Sequence, residues 1–175
     1  MKHEKIFLMG GLILVTLVLG SITPVGHVSQ AAGNIIYVDS DATGANDGTS
    51  WTDAFTELEP AVGAAAPENQ IWVAEGIYKP TVEHGGTGDR YRSFQMKNSV
   101  AIYGGFDPGV GDDAWEERDW VGNQTTLSGD LNGDDGPGFT NNAENSYHVF
   151  FHPVELSLAS SAILDGFTIT GGNAN

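Results

Sequence analysis

The sharpest chemical motif in the sequence is an acidic stretch at 130–136, which reads DLNGDDG. Its side-chain oxygens fall near alternate positions, and Ca²⁺ takes about six to eight such hard ligands. The match to an EF-hand loop is incomplete, because Asp135 stands where glycine is required and Asn141 where a bidentate glutamate belongs. Ca²⁺ is therefore the cofactor that the sequence suggests, and a solvated acidic turn is the alternative. The candidate ligands are Asp130, Asn132, Asp134 and Asp135.

Two other groups of residues offer weaker metal sites. Asp39, Asp41 and Asp47 form a second acidic loop that resembles a cation-binding turn. His148 and His152 are four residues apart, which on a strand is too far for an easily shared metal, and no further ligands follow at zinc spacing. We expect both histidines to lie on the surface or in loops.

Paired carboxylates are the usual machinery of glycoside hydrolysis, which needs two carboxyl groups about 5–9 Å apart across a cleft. Adjacent acids on a strand point to opposite faces, so doublets in the sequence do not meet that need. A Ser-His-Asp spacing, a P-loop and a dinucleotide fingerprint are also missing from the sequence. The sequence therefore predicts no catalytic residue. The acidic doublets are Asp112-Asp113, Glu116-Glu117 and Asp134-Asp135.

Sugar binding is suggested by two kinds of side chain. The tripeptide Arg90-Tyr91-Arg92 has the charge and the ring to meet an anionic sugar. Exposed aromatic rings bind sugars by stacking, although rings of this kind also fill protein cores. The candidates for stacking are Trp72, Tyr78, Tyr103, Trp115 and Trp120.

The composition excludes several classes of protein. The chain has 23 acidic and 7 basic residues and a net charge of −16, which repels phosphate and argues against a nucleic-acid partner. It has no cysteine, so disulfides, thiolate metal sites and a thiol nucleophile are excluded. Hydrophobic residues make up 40%, enough to build a core, so the chain is not a disordered acidic tail.

The first segment, 1–31, reads as a secretory signal peptide. Lys2 and Lys5 precede the uncharged run Ile6–Leu19, and small residues at Ser29 and Ala31 fit a cleavage site. A membrane anchor is the alternative, but the run is shorter than the roughly 20 residues that span a bilayer. We expect a secreted, extracellular or cell-surface protein with no transmembrane segment in the mature chain.

Short runs of β-branched and aromatic residues predict strands in the mature chain. Successive runs begin at 71, 100, 125, 148 and 167, so their spacings are 29, 25, 23 and 19 residues. Spacings of this size favour a solenoid over a β-sandwich, which shows turn signals about every 8–12 residues. The predicted strands are Ile35–Val38, Ile71–Ala74, Val100–Tyr103, Thr125–Leu127, His148–Phe151 and Phe167–Thr170.

One helix is predicted over 51–66. Its apolar residues recur at spacings of three and four, Ser50 is a plausible N-cap, and Pro60 should kink it or split it. The apolar positions are Trp51, Ala54, Phe55, Leu58, Val62 and Ala65.

Longer phrases carry a resemblance to a known family. The segments IIYVDSDATGANDGTSWTDAFTEL at 35–58, IWVAEGIYKPT at 71–81 and FQMKNSVAIYGGFD at 94–107 are similar to the N-terminal part of secreted bacterial proteins of the pectin-lyase-like superfamily. ERDW at 117–120, TLSGDLNGDD at 126–135, NSYHVF at 145–150 and ILDGFTITGGNA at 163–174 continue it. The resemblance implies an all-β, right-handed parallel β-helix (solenoid) with an N-terminal capping helix. It places the cap at 32–93 and the first coils at 94–175, and implies that further coils follow.

The resemblance also bears on function, because this superfamily includes polysaccharide lyases, other carbohydrate-active enzymes and large surface proteins. We expect a non-catalytic scaffold or adhesin-like binding module whose partner is a carbohydrate or another surface component. The alternative is a polysaccharide lyase or glycoside hydrolase with its active site on coils beyond this chain. The fold alone does not choose between these functions.

Overall fold

The computed structural model describes residues 34–111 and 114–175. The predicted signal peptide at 1–31 and the doublet Asp112-Asp113 lie outside these residues. In the part of the chain that is described, no helix has both the length and the apolar character needed to cross a membrane.

Short parallel strands form two sheets. The first sheet has four strands in the order β1-β2-β4-β6, and the second has three in the order β3-β5-β7. Within each sheet, the described strands all pair in parallel, so the paired strands are joined by crossovers rather than hairpins. The strands are β1 (Ile35–Val38), β2 (Gln70–Ala74), β3 (Gly76–Tyr78), β4 (Ala101–Phe106), β5 (Thr125–Ser128), β6 (Ile163–Asp165) and β7 (Phe167–Thr170).

Both faces of the first sheet are covered, which explains why its strands read as continuous apolar runs. Ile71 pairs in register with Ile36 on one side and Ile102 on the other, and these side chains join the larger core. The neighbouring residue Trp72 points to the opposite face, where its ring stacks on Phe106 at 4.5 Å between centroids. The larger core continues into the helix through Leu58 and Ala61 and into the second sheet through Tyr78 and Leu127. Val149, which lies outside the helices and strands, packs against the same core.

The helix α1 (Leu58–Ala64) is shorter than predicted and begins seven residues later. Phe55 explains the late start: its N–H donates to Tyr37 O and its carbonyl accepts from Asp39 N–H, which requires an extended backbone beside β1. Pro60 was predicted to kink the helix, but it falls in the first turn, where backbone N–H groups need no helical partner. The predicted N-cap, Ser50, is wrong; Glu57 stands at that position without a side-chain cap.

The predicted strand at His148–Phe151 is also wrong. This segment makes one isolated bridge, between Phe94 and Phe150, and no ladder. Two strands, β3 and β6, were not predicted, because each is only three residues long and carries too short a pattern to read.

The predicted fold class, an all-β right-handed parallel β-helix, is contradicted. The structure has two small parallel sheets with 11% helix and 26% strand, which is an α/β mixture, and no solenoid is found. The segments between strands form turns, short 3-10 helices and α1, so the described residues build no third sheet. Spacings of about 20–30 residues misled the prediction, since they equally suit simple crossovers between parallel strands.

Candidate functional site

The acidic stretch at 130–136 is a loop organised around one carboxylate. Asp130, two residues after β5, accepts N–H bonds from Gly133 (2.6 Å) and Asp134 (3.2 Å) on Oδ1 and from Asp135 (3.2 Å) on Oδ2. Burial acts to raise the pKa of Asp130, but these N–H groups and the charge of Lys79 outweigh it and hold the pKa below its ordinary value. Asp130 is therefore an ionised anchor at neutral pH.

Two of the four predicted calcium ligands come together, with a third residue that the sequence did not reveal. Carboxylate oxygens of Asp130, Asp134 and Glu144 all lie within 4.8 Å of one another. In the described part of the chain this is the one group of three or more His, Asp or Glu side chains that could share a metal. Asp135 is instead bonded by Asn145, whose Nδ2 donates to its Oδ2 at 2.8 Å, and Asn132 is exposed. No sequence pattern around Glu144 marks it as a ligand, because the fold of the intervening loop brings it close to Asp130 and Asp134.

The second acidic loop holds itself together with its own hydrogen bonds. Asp39 Oδ1 accepts the Asp41 N–H at 2.9 Å. Asp47 Oδ1 accepts the hydroxyl of Thr49 at 2.7 Å and its N–H at 3.0 Å, and the pKa of Asp47 is lowered as a result. In the part of the chain that the structure describes, these carboxylates form no three-membered group.

The two predicted histidines have separate environments. His148 is exposed and its ring lies near Phe151, with 6.2 Å between centroids. His152 is half-buried, and its Nε2 accepts the Met96 N–H at 2.7 Å. Burial, with a smaller contribution from His84, lowers the pKa of His152.

The candidate stacking rings occupy structural positions. Trp72, Tyr78 and Tyr103 are buried in the two cores. Trp115 and Trp120 are exposed, but the guanidinium carbon of Arg118 lies over each of their rings, 4.9 and 5.2 Å from the ring centroids. These five residues therefore offer no open ring face arranged around a cavity.

A cavity of about 380 Å³ lies elsewhere, beside the 3-10 turn Asp89–Tyr91. Two residues of the predicted sugar-binding tripeptide, Arg90 and Tyr91, line this cavity. The third, Arg92, does not line it and forms an ion pair with Asp89 at 2.7 Å. We call this cavity the aromatic pocket. Its lining comprises His84, Gly85, Arg90, Tyr91, Ser93, Tyr147, His148, Phe151, Ala174 and Asn175.

Main-chain bonds join the two halves of the aromatic pocket. His84 N–H donates to Tyr91 O and Tyr147 N–H to Arg90 O, each at 2.8 Å. The rings of Tyr91 and Tyr147 meet edge to face, with 5.0 Å between their centroids and an interplanar angle of 64°. The pocket wall is therefore built from segments more than fifty residues apart in the sequence.

Arg90 is held firmly within this wall. Its guanidinium carbon lies 4.1 Å from the Tyr147 ring centroid. Nε donates to Asn145 O at 2.8 Å, and Nη2 donates to Asn173 O at 2.7 Å and to Asn175 Oδ1 at 2.9 Å. The Nε and Nη2 groups of Arg90 are therefore already hydrogen-bonded within the protein.

Ser93 gives the aromatic pocket an unused polar group. The residue is 2% exposed and lines the cavity, yet its Oγ has no hydrogen-bond partner in the structure. Buried hydroxyls are normally hydrogen-bonded, because an unmet one costs about 1–3 kcal/mol. The sequence did not single out Ser93, Tyr147 or Phe151, and no local pattern marks them.

Comparison with protein-family models, with curated proteins and with solved structures found no match for this chain. The resemblance to the pectin-lyase-like superfamily therefore stays a prediction.

Proposed function

We propose that this chain is a secreted or cell-surface binding module that holds a sugar ring of a glycan in the aromatic pocket and catalyses no reaction on it. The signal-peptide pattern at 1–31 supports the location. The single observation that carries the ligand class is the buried, unpartnered Ser93 hydroxyl in a wall of tyrosine and phenylalanine rings.

A sugar needs this combination of surfaces. Its C–H faces pack on aromatic rings, while its hydroxyl groups need a few well-placed hydrogen-bond partners. Tyr91, Tyr147 and Phe151 supply rings, and Ser93 supplies a hydroxyl that can both donate and accept. Nε and Nη2 of Arg90 already donate hydrogen bonds to main-chain carbonyls, so they are not free to bind a sugar carboxylate. We therefore expect neutral hexoses and uronates to bind with similar affinity.

The lining also supports binding without catalysis. A glycoside hydrolase needs two carboxyl groups across its cleft. The described residues that line the aromatic pocket include no aspartate or glutamate. No feature of the pocket favours an enzyme over a binding module.

The test is a glycan array followed by calorimetric titration of the sugars that bind. Ser93→Ala should weaken binding roughly five- to tenfold through loss of one hydrogen bond, while leaving stability unchanged or higher because an unmet hydroxyl is removed. Tyr91→Ala should weaken it at least as much. Phe139→Ala removes a ring that is 86% exposed and lies outside the pocket, so it should bind like the wild type. Absence of binding to any glycan, or binding unaffected by Ser93→Ala and Tyr91→Ala, would overturn the proposal.

A further inference from the structure

We propose that the chain binds one Ca²⁺ through the carboxylates of Asp130, Asp134 and Glu144. This site is independent of the proposed sugar ligand. It differs from the loop pattern in the sequence, since Glu144 replaces Asn132 and Asp135 as a side-chain ligand.

Negative charge converges where the side chains of Asp130, Asp134 and Glu144 meet. Three carboxylates whose oxygens lie within 4.8 Å of one another repel, and a cation between them would relieve that repulsion. Lys79 lies beside the loop: its Nζ donates to Leu131 O at 3.2 Å, and its charge acts on Asp130. One ammonium balances one carboxylate of the three, so the cluster keeps an excess negative charge.

Two buried side-chain oxygens at or next to this group of carboxylates lack a hydrogen-bond donor. Glu144 Oε1 and Asn145 Oδ1 are both buried and have no hydrogen-bond partner. Asn145 is 2% exposed, and the Nδ2 of the same amide group donates to Asp135 Oδ2, so its side chain contacts the acidic loop at 130–136. Buried acceptors without donors are uncommon in proteins, and a cation or the water it carries satisfies them as a donor would.

Asp130 retains the capacity to act as a ligand. An ionised carboxylate has about four acceptor sites, and Asp130 uses three of them for the N–H groups of Gly133, Asp134 and Asp135. These bonds fix the orientation of the carboxylate and leave room for a cation. The loop is therefore partly organised for binding before the ion arrives.

The chemistry of the ligands selects the ion. All three are carboxylates, and no nitrogen or sulfur donor belongs to the group, which favours a hard cation over zinc. The loop is irregular and glycine-containing, which suits the flexible coordination of Ca²⁺ better than the strict octahedron of Mg²⁺. Main-chain carbonyls and water would complete the shell.

The test is calorimetric titration of the chelator-treated full chain with CaCl₂, with KCl at matched ionic strength to remove general screening. We expect one Ca²⁺ per chain and a higher melting temperature with Ca²⁺ than with EDTA. Glu144→Gln should weaken Ca²⁺ binding roughly tenfold or more, and without Ca²⁺ it should melt at the same temperature or higher, because repulsion is relieved. That second measurement separates loss of a ligand from failure to fold.

Asp41→Asn is the matched control, since it removes an exposed charge in the other acidic loop and should leave Ca²⁺ affinity unchanged. Asp135→Asn distinguishes the two ligand sets, because it should cost much less affinity than Glu144→Gln. The proposal is overturned if the chain binds no Ca²⁺, or if Glu144→Gln binds it as tightly as the wild type.

Discussion

Arg118 and Asp165 form an ion pair in which one partner is buried and the other is half-exposed. The Arg118 side chain is 4% exposed, whereas that of Asp165 is 56% exposed. Arg118 also donates from Nε to the carbonyl of Gly104. Since Gly104 belongs to β4 and Asp165 ends β6, the guanidinium joins these neighbouring strands to the segment that carries Trp115 and Trp120.

Arg118→Ala should destabilise the protein by about 2–4 kcal/mol, because it leaves the Gly104 carbonyl without this donor and removes packing against the rings of Trp115 and Trp120. Urea unfolding monitored by tryptophan fluorescence measures the loss. The control is Arg92→Ala, whose ion pair with Asp89 joins side chains that are 39% and 72% exposed and should cost less than about 1 kcal/mol. Equal effects of the two substitutions would contradict a structural role for Arg118.

Leu127 and Ile169 provide a second comparison, because they are paired in register on β5 and β7. Leu127 is fully buried, whereas Ile169 is 52% exposed. Leu127→Ala should therefore cost about 2–5 kcal/mol, and Ile169→Ala less than about 1 kcal/mol. Thermal and urea denaturation of the two variants would show whether the described packing holds; a larger loss for Ile169→Ala would contradict it.

Gly105 is required by both its backbone and its surroundings. Its φ is +97°, and a Cβ there would lie 2.8 Å from the backbone nitrogen of Trp120. Gly105→Ala should therefore destabilise the protein by about 2–3 kcal/mol. Gly63 in α1 has open space around it, so Gly63→Ala should stabilise by about 0.5–1 kcal/mol. Chemical denaturation of both variants tests this opposite pair of signs.

His152 predicts a loss of stability in mild acid. Burial, with His84 nearby, holds its folded-state pKa below the ordinary value of 6.5, and its Nε2 must be unprotonated to accept the Met96 N–H. As pH falls below about 6.5, the unfolded chain takes up this proton more readily than the folded chain, so the free energy of unfolding decreases. At higher pH the contribution is fully present.

His152→Gln keeps an acceptor without a titratable ring, so its stability should fall less than that of the wild type between pH 7 and pH 5. Urea unfolding across this range measures the difference between the two proteins. His148→Gln, at an exposed position, should follow the wild type. If His152→Gln also follows the wild type, the proposed role of the His152 ring is incorrect.

Strand positions could be read from the sequence where apolar and β-branched residues are concentrated. The prediction of Ile35–Val38 and Phe167–Thr170 matches β1 and β7 in both limits, and Ile71–Ala74 misses β2 by one residue. Such runs reveal strands because β-branched and aromatic side chains favour a pleated, half-buried backbone, a preference that can be read from adjacent residues. The helix start failed because Phe55 bonds to β1, a contact that no local pattern reveals.

The sequence by itself determined the acidic charge, the lack of cysteine chemistry, most strand locations and the loop around Asp130. It did not determine how the parallel strands divide into two sheets, because the same spacing permits more than one set of crossovers. Only the tertiary structure placed Glu144 beside Asp130 and the Ser93 hydroxyl beside the tyrosine rings. Such sites depend on distances between residues remote in sequence, and those distances exist only once the chain has packed.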